Sequence, residues 1–343
     1  MRLRWLALAA AVLVVAAGAG LATTAHRQMQ PVVEPGSPGA ELQLFTVRRG
    51  SGLRQIASEL EAADLLRDAR ALDLLARLRG VAEKIQAGEY ELSASWTPGQ
   101  ILDRITSGRV KTYTVVLPEG IRASEIARRL EQASLVDAEE FLAVAEDRSF
   151  AAELGIEADT LEGYLYPDTY ELPRNLSPRE VAKIMVAQFE ETWRGIGPAA
   201  REQELSKHEI VTLASIVEKE TAVPEERPLI AAVFRNRLRR GMRLETDPTV
   251  IYGIEDFDGN LRRRHLRDAG NPYNTYQIRG LPPGPIASPG AEALRAVVEP
   301  ADSGYLYFVS RNDGTHHFSS SYREHTNAVN RYQKRSRSKS RPQ

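Results

Sequence analysis

Two stretches of this chain repeat one another 70 positions apart, and no other feature narrows the fold as much. Phe45, Val47 and Gly50, then Ile56, Ala57, Leu60 and Leu65, are matched by Val115, Leu117 and Gly120, then Ile126, Ala127, Leu130 and Leu135. Each copy opens with apolar residues two apart, the period of a half-buried strand, and halts at a glycine. Spacings of three and four follow, which gather the apolar side chains on one helical face. A second helix is expected at 71–78 in one copy and 138–145 in the other. Each copy then meets glycine and tyrosine in a strand setting, Gly88-Glu89-Tyr90 and Gly163-Tyr164. The first half therefore reads as two β-α-α-β units, and the fold class as α+β.

One such unit resembles the LysM module, a small carbohydrate-binding fold, and 42–110 is assigned to it. Two packed supports without glycan contact remain an equal alternative. The remainder, 111–332, reads as a mixed α+β domain that takes in the second copy.

Ahead of the repeat, residues 5–25 are a run of 21 without a charged side chain. As a helix the run would span about 31 Å at 1.5 Å per residue, the thickness of a bilayer core. Arg2 and Arg4 precede it and Glu34 is the first acid, so residues 1–26 read as a single-pass transmembrane helix with a short cytoplasmic N-terminus. A cleaved signal peptide is the alternative, with Ala17-Gly18-Ala19 as a small-residue cleavage site. Both readings export the bulk of the chain. Residues 27–41 carry Pro31, Pro35, Gly36, Pro38 and Gly39 and read as a linker, and 333–343 as a solvated, disordered basic tail.

Composition removes several chemistries. With 45 Lys and Arg against 46 Asp and Glu, the net charge of −1 argues against nucleic acid as a partner. The absence of cysteine excludes disulfides, thiolate nucleophiles and thiolate metal sites. His316, His317 and His325 do not form a metal-ligand motif, and no nucleophile elbow, phosphate loop or dinucleotide fingerprint occurs, so no metal or cofactor is expected.

The second half is punctuated by helices. Ser206 and Glu209 form a capping box opening a helix over 207–220, and a further helix is expected over 225–240 with Gly241 as its cap. On the first helix His208, Thr212, Ser215 and Lys219 fall on one polar stripe, and apolar residues cover most of the rest. Glu218 and Glu220 project to either side of its end. A carboxyl in an apolar setting holds its proton toward neutral pH, the property of a general acid. An ion pair with Arg227, Arg235 or Arg237 is the bland alternative, and periodicity does not choose between the two glutamates. From 246 to 290 the chain reads as long loops, followed by a strand at 305–309.

The run Leu213-Ala214-Ser215-Ile216-Val217-Glu218-Lys219-Glu220-Thr221 resembles the signature helix of the YceG-like endolytic murein transglycosylases. Further motifs stand in family order. They are Leu117-Pro118-Glu119-Gly120, Glu162-Gly163-Tyr164-Leu165-Tyr166-Pro167-Asp168-Thr169-Tyr170 and Val233-Phe234-Arg235-Asn236-Arg237-Leu238. After these come Thr246-Asp247-Pro248, Tyr273-Asn274-Thr275-Tyr276, Gly280-Leu281-Pro282-Pro283-Gly284-Pro285-Ile286, Ser288-Pro289-Gly290, His316, Phe318 and His325.

The resemblance implies an enzyme outside the plasma membrane that cuts the β-1,4 bond from N-acetylmuramic acid to N-acetylglucosamine in nascent peptidoglycan. It leaves 1,6-anhydro ends and terminates strand elongation. The resemblance also implies Glu218 as the catalytic acid, with Asn236, Asp247, Tyr273, Asn274, Tyr276 and His316 as candidate substrate contacts. Two rivals are a muramidase-type hydrolase and a non-catalytic scaffold that binds peptidoglycan and recruits cell-wall synthases. Two departures from the family pattern stand out. Glu245 replaces the usual glutamine before Thr-Asp-Pro, which would add a carboxylate near Asp247, and Thr326 follows His325 where asparagine is common.

Overall fold

A computed structural model describes residues 2–334, and the chain divides into two compact units. One reaches Tyr113 and takes in Glu171–Asn175; the other holds Thr114–Tyr170 and the chain from Leu176 on.

The first unit runs α1 (Arg2–Gln28), β1 (Leu42–Val47), α2 (Leu53–Ala62), α3 (Ala69–Leu78), β2 (Gly88–Ser93) and α4 (Pro98–Thr106). Strands β1 and β2 pair antiparallel with Phe45 opposite Tyr90 and Val47 opposite Gly88. Period-two alternation turns Phe45, Val47, Tyr90 and Leu92 inward, where they meet Ile56 and Leu60 of α2 and Leu72 of α3. The first copy is thus a β-α-α-β unit, as its periodicity predicts. Helix α4, opened by a Thr97–Gln100 capping box, adds Ile101, Leu102 and Ile105 to this core.

The segment 27–41 is held down, not free. Val32 and Val33 donate backbone N–H groups to the Ala94 carbonyl at 2.9 and 3.2 Å, and the Arg67 guanidinium donates to the carbonyls of Pro31 and Val32. Helix α1 is continuous over 27 residues. Among the described residues no helix is long and apolar enough to cross a membrane, so the transmembrane anchor expected over 1–26 is not shown. The basic tail lies outside the described residues from 335 on.

The chain continues with β3 (Tyr113–Val116), α5 (Ala123–Gln132), α6 (Ala138–Ala145), α7 (Arg148–Glu153) and β4 (Thr169–Leu172), the partner of β3. The strand expected at Gly163-Tyr164 is instead a turn. Gly163 adopts φ +85°, and a side chain there would collide with Pro285, so the glycine serves a close approach of two chain segments. Tyr164 is buried edge-on against Phe189, ring centroids 5.1 Å apart, and its hydroxyl meets His208 Nδ1 at 3.0 Å.

Next come α8 (Pro178–Arg201), α9 (Lys207–Glu220), α10 (Arg227–Arg239), α11 (Asp247–Tyr252), α12 (Arg263–Leu266), α13 (Ala291–Val298), the antiparallel hairpin β5 (Tyr307–Ser310) and β6 (His316–Ser319), and α14 (Tyr322–Val329). Short helices α11 and α12 interrupt the segment expected to be loop. Strand β5 starts two residues later than expected because the carbonyls of Tyr305 and Leu306 are taken by the side chains of Asn236 and Arg237.

Helix α9 is the axis of the second unit. Ile210 to Val217 are all buried, between α10 and α13, and each large apolar side chain there contributes about 1.5–3 kcal/mol. Thr212 and Ser215 of its polar stripe are buried against other chain, while Lys219 at its end is exposed. Ser215 Oγ accepts from the Ile286 N–H at 3.0 Å, and His208 Nε2 meets the Pro283 carbonyl at 3.0 Å. The Gly-Pro run 280–285 is thereby fixed against α9 as scaffold, and the last turn of the helix is a rigid mount for Glu218, Lys219 and Glu220.

Candidate active site

Glu218 is anchored through both carboxylate oxygens. Arg227 Nη2 donates to Oε1 at 2.9 Å, and the Gly290 backbone N–H donates to Oε2 at 3.1 Å. The Glu218 side chain is 6 % exposed and that of Arg227 10 %. Arg227 stands at the first position of α10, where the turn from α9 through Pro224–Glu226 delivers it, and Gly290 is the N-cap of α13. Arg227 also reaches Glu119 Oε2 at 3.4 Å, on the glycine turn of the second repeat copy. Gly120 in that turn adopts φ +73° and offers its carbonyl to the Lys219 ammonium at 3.1 Å. A cleft of about 430 Å³ opens here, walled by Glu119, Gly120, Arg227 and residues 218–222.

Burial pushes the Glu218 carboxyl above the ordinary carboxylate range. The Gly290 N–H and Arg227 partly offset that rise, and the Glu119 charge adds to it. Each Glu218 oxygen keeps a second lone pair beyond its donor, so the carboxyl can carry a proton toward the cleft without breaking its supports. The ion pair named as the bland alternative is present, and burial raises the carboxyl against it.

Glu220 leans to the other side. Burial pushes its carboxyl up to about 7; the Thr246 hydroxyl, which donates to it, and His316 act downward, and Asp247 acts upward. It borders both the Glu218 cleft and a second cleft of about 440 Å³, whose walls include Glu245, Asp247, Tyr276, His316 and His325. Tyr276 donates its hydroxyl to Asp247 Oδ1 at 2.7 Å. His316 Nδ1 meets Glu226 Oε2 at 2.6 Å, and its backbone N–H donates to Glu226 Oε1 at 2.7 Å. Burial raises the Glu226 carboxyl, but these contacts outweigh it and leave it below its ordinary value. Glu245 turns into this second cleft from a left-handed backbone, φ +51°, with Arg237 3.3 Å from its carboxylate.

Three expected contacts sit elsewhere. Asn236 spends both amide hydrogens on the carbonyls of Ser303 and Tyr305, at 2.8 and 2.9 Å, so it neither orients Glu218 nor faces a cleft. Asn274 is fully buried; it donates to the carbonyls of His265 and Asp268 and accepts from the Tyr276 N–H, which makes it a loop builder. Tyr273 packs on Tyr252 with ring centroids 4.6 Å apart and lines neither glutamate cleft.

Gly290 has a role that spacing does not reveal. A side chain at 290 would overlap the Glu119 carboxylate, and its N–H holds Glu218. Gly290→Ala is expected to lower kcat about a hundredfold, the cost of an ångström-scale misplacement of a reacting group. Thermal melting should be nearly unchanged, because Glu119 is half-exposed and can swing away. Wild-type turnover in this variant would show that the Gly290 contact is dispensable.

The model of the YceG-like family matches residues 45–331. A Bacillus subtilis protein named endolytic murein transglycosylase is 30% identical over 307 residues, covering 84% of this chain and 84% of its own. A Streptococcus pneumoniae protein of the same name is 27% identical over 314 residues, and this chain spans 57% of its length. A crystal structure described as a YceG-like protein of Listeria monocytogenes superimposes with a TM-score of 0.58 at 30% identity, covering 84% of this chain and 98% of that one. The ordered motifs, the shared architecture and a family match over most of the chain converge: this protein belongs to the YceG-like family.

Proposed function

We propose that the chain is an endolytic murein transglycosylase in which Glu218 acts first as acid and then as base. The observation that carries this reading is the Glu218 carboxyl, buried, raised in pKa and held by Arg227 and the Gly290 N–H at the wall of a cleft. The names borne by its relatives support the same substrate.

One glutamate suffices for that reaction. Glu218 protonates the glycosidic oxygen as the bond to the muramic acid C1 breaks, and the resulting carboxylate is stabilised by its two donors. It then takes the proton from the muramic acid 6-hydroxyl as that oxygen closes on C1. Atoms balance without water: a 1,6-anhydro ring forms and the proton returns to Glu218. The nucleophile belongs to the substrate, so little entropy is lost in placing it. A hydrolase would need a second carboxyl to activate water or attack C1. Glu220 and Asp247 keep that muramidase reading in view, and a scaffold would bind strands without cutting them. Digestion of purified strands by the full chain, with mass spectrometry of the ends, separates the three.

Action on peptidoglycan places the working domain outside the plasma membrane. A single-pass anchor rests on the uncharged run 5–25 and the continuous α1, against the absence among the described residues of a helix apolar enough to cross. Retention of the chain in carbonate-washed membranes supports the anchor, and release removes it. The β-α-α-β topology of the first unit supports a LysM-like glycan contact, and recruitment of synthases is the corresponding partner reading.

A further inference from the structure

Beyond Lys219, beside the Glu218 cleft, lies a third cleft of about 540 Å³. Lys219 borders both, so whatever occupies one abuts the other. Its walls mix cations with apolar surface: Arg122, Arg128 and Lys219 beside Ile251, Ile254 and Phe257. Two of these cations lack an ion-pair partner among the described residues. The Lys219 ammonium meets only the Gly120 carbonyl. The Arg122 guanidinium lies over the Tyr252 ring, 4.9 Å from its centroid. The carboxyl nearest in influence, Glu162, is itself engaged by the Ala123 N–H and the Tyr252 hydroxyl. Arg128 has Glu125, which also lines this cleft, at a loose 3.9 Å, and both side chains are exposed.

The sugar rings of a stem-bearing strand are neutral, because each lactyl carboxyl is tied up in the amide to its peptide, and they give unpaired cations nothing to bind. The muramic acid carries a lactyl-linked peptide, and that peptide has carboxylates, aliphatic groups and, where it contains a diamino acid, an amine. We propose that this third cleft is the subsite for the peptide stem of the strand. Arg122 and Lys219 receive its carboxylates, Ile251, Ile254 and Phe257 cover its aliphatic portion, and Glu255 at the rim is available to an amino group. The proposal rests on the glycan-cleaving reading and adds to it a preference for strands that still bear peptides.

The test uses the full chain on two substrates, strands with intact stems and strands stripped by an amidase. Wild-type kcat/KM is expected to be higher on the stem-bearing strands. Arg122→Gln is expected to lose about tenfold on those and to match the wild type on stripped ones, the scale of one charge contact. Arg128→Gln, on the exposed face of α5, cannot unfold the unit and should show a smaller loss confined to stem-bearing strands. Equal losses on both substrates, or no loss in either variant, would overturn the subsite. Failure of the enzymatic reading is separate: the wild-type chain would then cut neither substrate, and co-sedimentation of the same variants with the two strands would still report on the cleft.

Discussion

Glu218→Gln is expected to cut turnover on glycan strands by about 10³-fold, within the range that a positioned acid–base group contributes. Glutamine retains the shape and can still accept from Arg227 or the Gly290 N–H, so KM and thermal stability should stay near the wild type. The fall should lie in kcat, because the lost function, proton transfer, is exercised only in the transition state. Glu220→Gln is the comparison. It removes a carboxyl raised to about 7 that borders the same cleft, yet it should retain most activity. An active Glu218→Gln beside a dead Glu220→Gln would move the acid two residues along α9.

Arg227→Met is expected to lower kcat by about 10²–10³-fold, the cost of removing one preorganised donor from a charge that develops in the transition state. Arg227 contacts Glu218 Oε1 at 2.9 Å and is almost wholly buried. When Glu218 gives up its proton, that guanidinium and the Gly290 N–H are what receive the new charge. A pH signature distinguishes this role from simple damage. The acid must be protonated at the start, so activity falls as pH rises through the Glu218 pKa. Arg227 holds that pKa down against burial. Removing it raises the pKa, so the basic limb of the kcat profile should move to higher pH even as its height drops. Arg227→Lys keeps a charge and should recover part of the height with a smaller displacement. An unmoved limb in Arg227→Met would show that the contact does not set the acid's proton affinity.

Local pattern made much of the fold legible. Helix α9 ends where the capping box and the apolar run place it, and α6 spans the residues that its copy in the repeat predicts. The first β-α-α-β unit follows from period two giving way to periods of three and four. What escaped was set by contacts distant in sequence. Gly163-Tyr164 looks like a strand by analogy with Gly88-Glu89-Tyr90, but Pro285, more than a hundred residues on, demands a glycine there. Asn236 and Asn274 carry the chemistry of sugar recognition, yet their amide groups satisfy carbonyls of irregular chain, which no spacing rule foresees. In the site, the apolar helix leaves Glu218 and Glu220 equal, and the family motif alone singles out Glu218 as the proposed acid. Its supports were not, because Glu119, Arg227 and Gly290 lie on three separate segments and converge only after α10 and α13 pack on α9.

The chemistry at the cut end of the strand bears most directly on all of this. Purified glycan strands digested with the full chain, then separated and weighed, are expected to end in 1,6-anhydro-N-acetylmuramic acid, with new ends appearing inside strands and none in Glu218→Gln. Reducing N-acetylmuramic acid ends, heavier by one water, would contradict the one-glutamate mechanism and make the protein a two-carboxyl hydrolase.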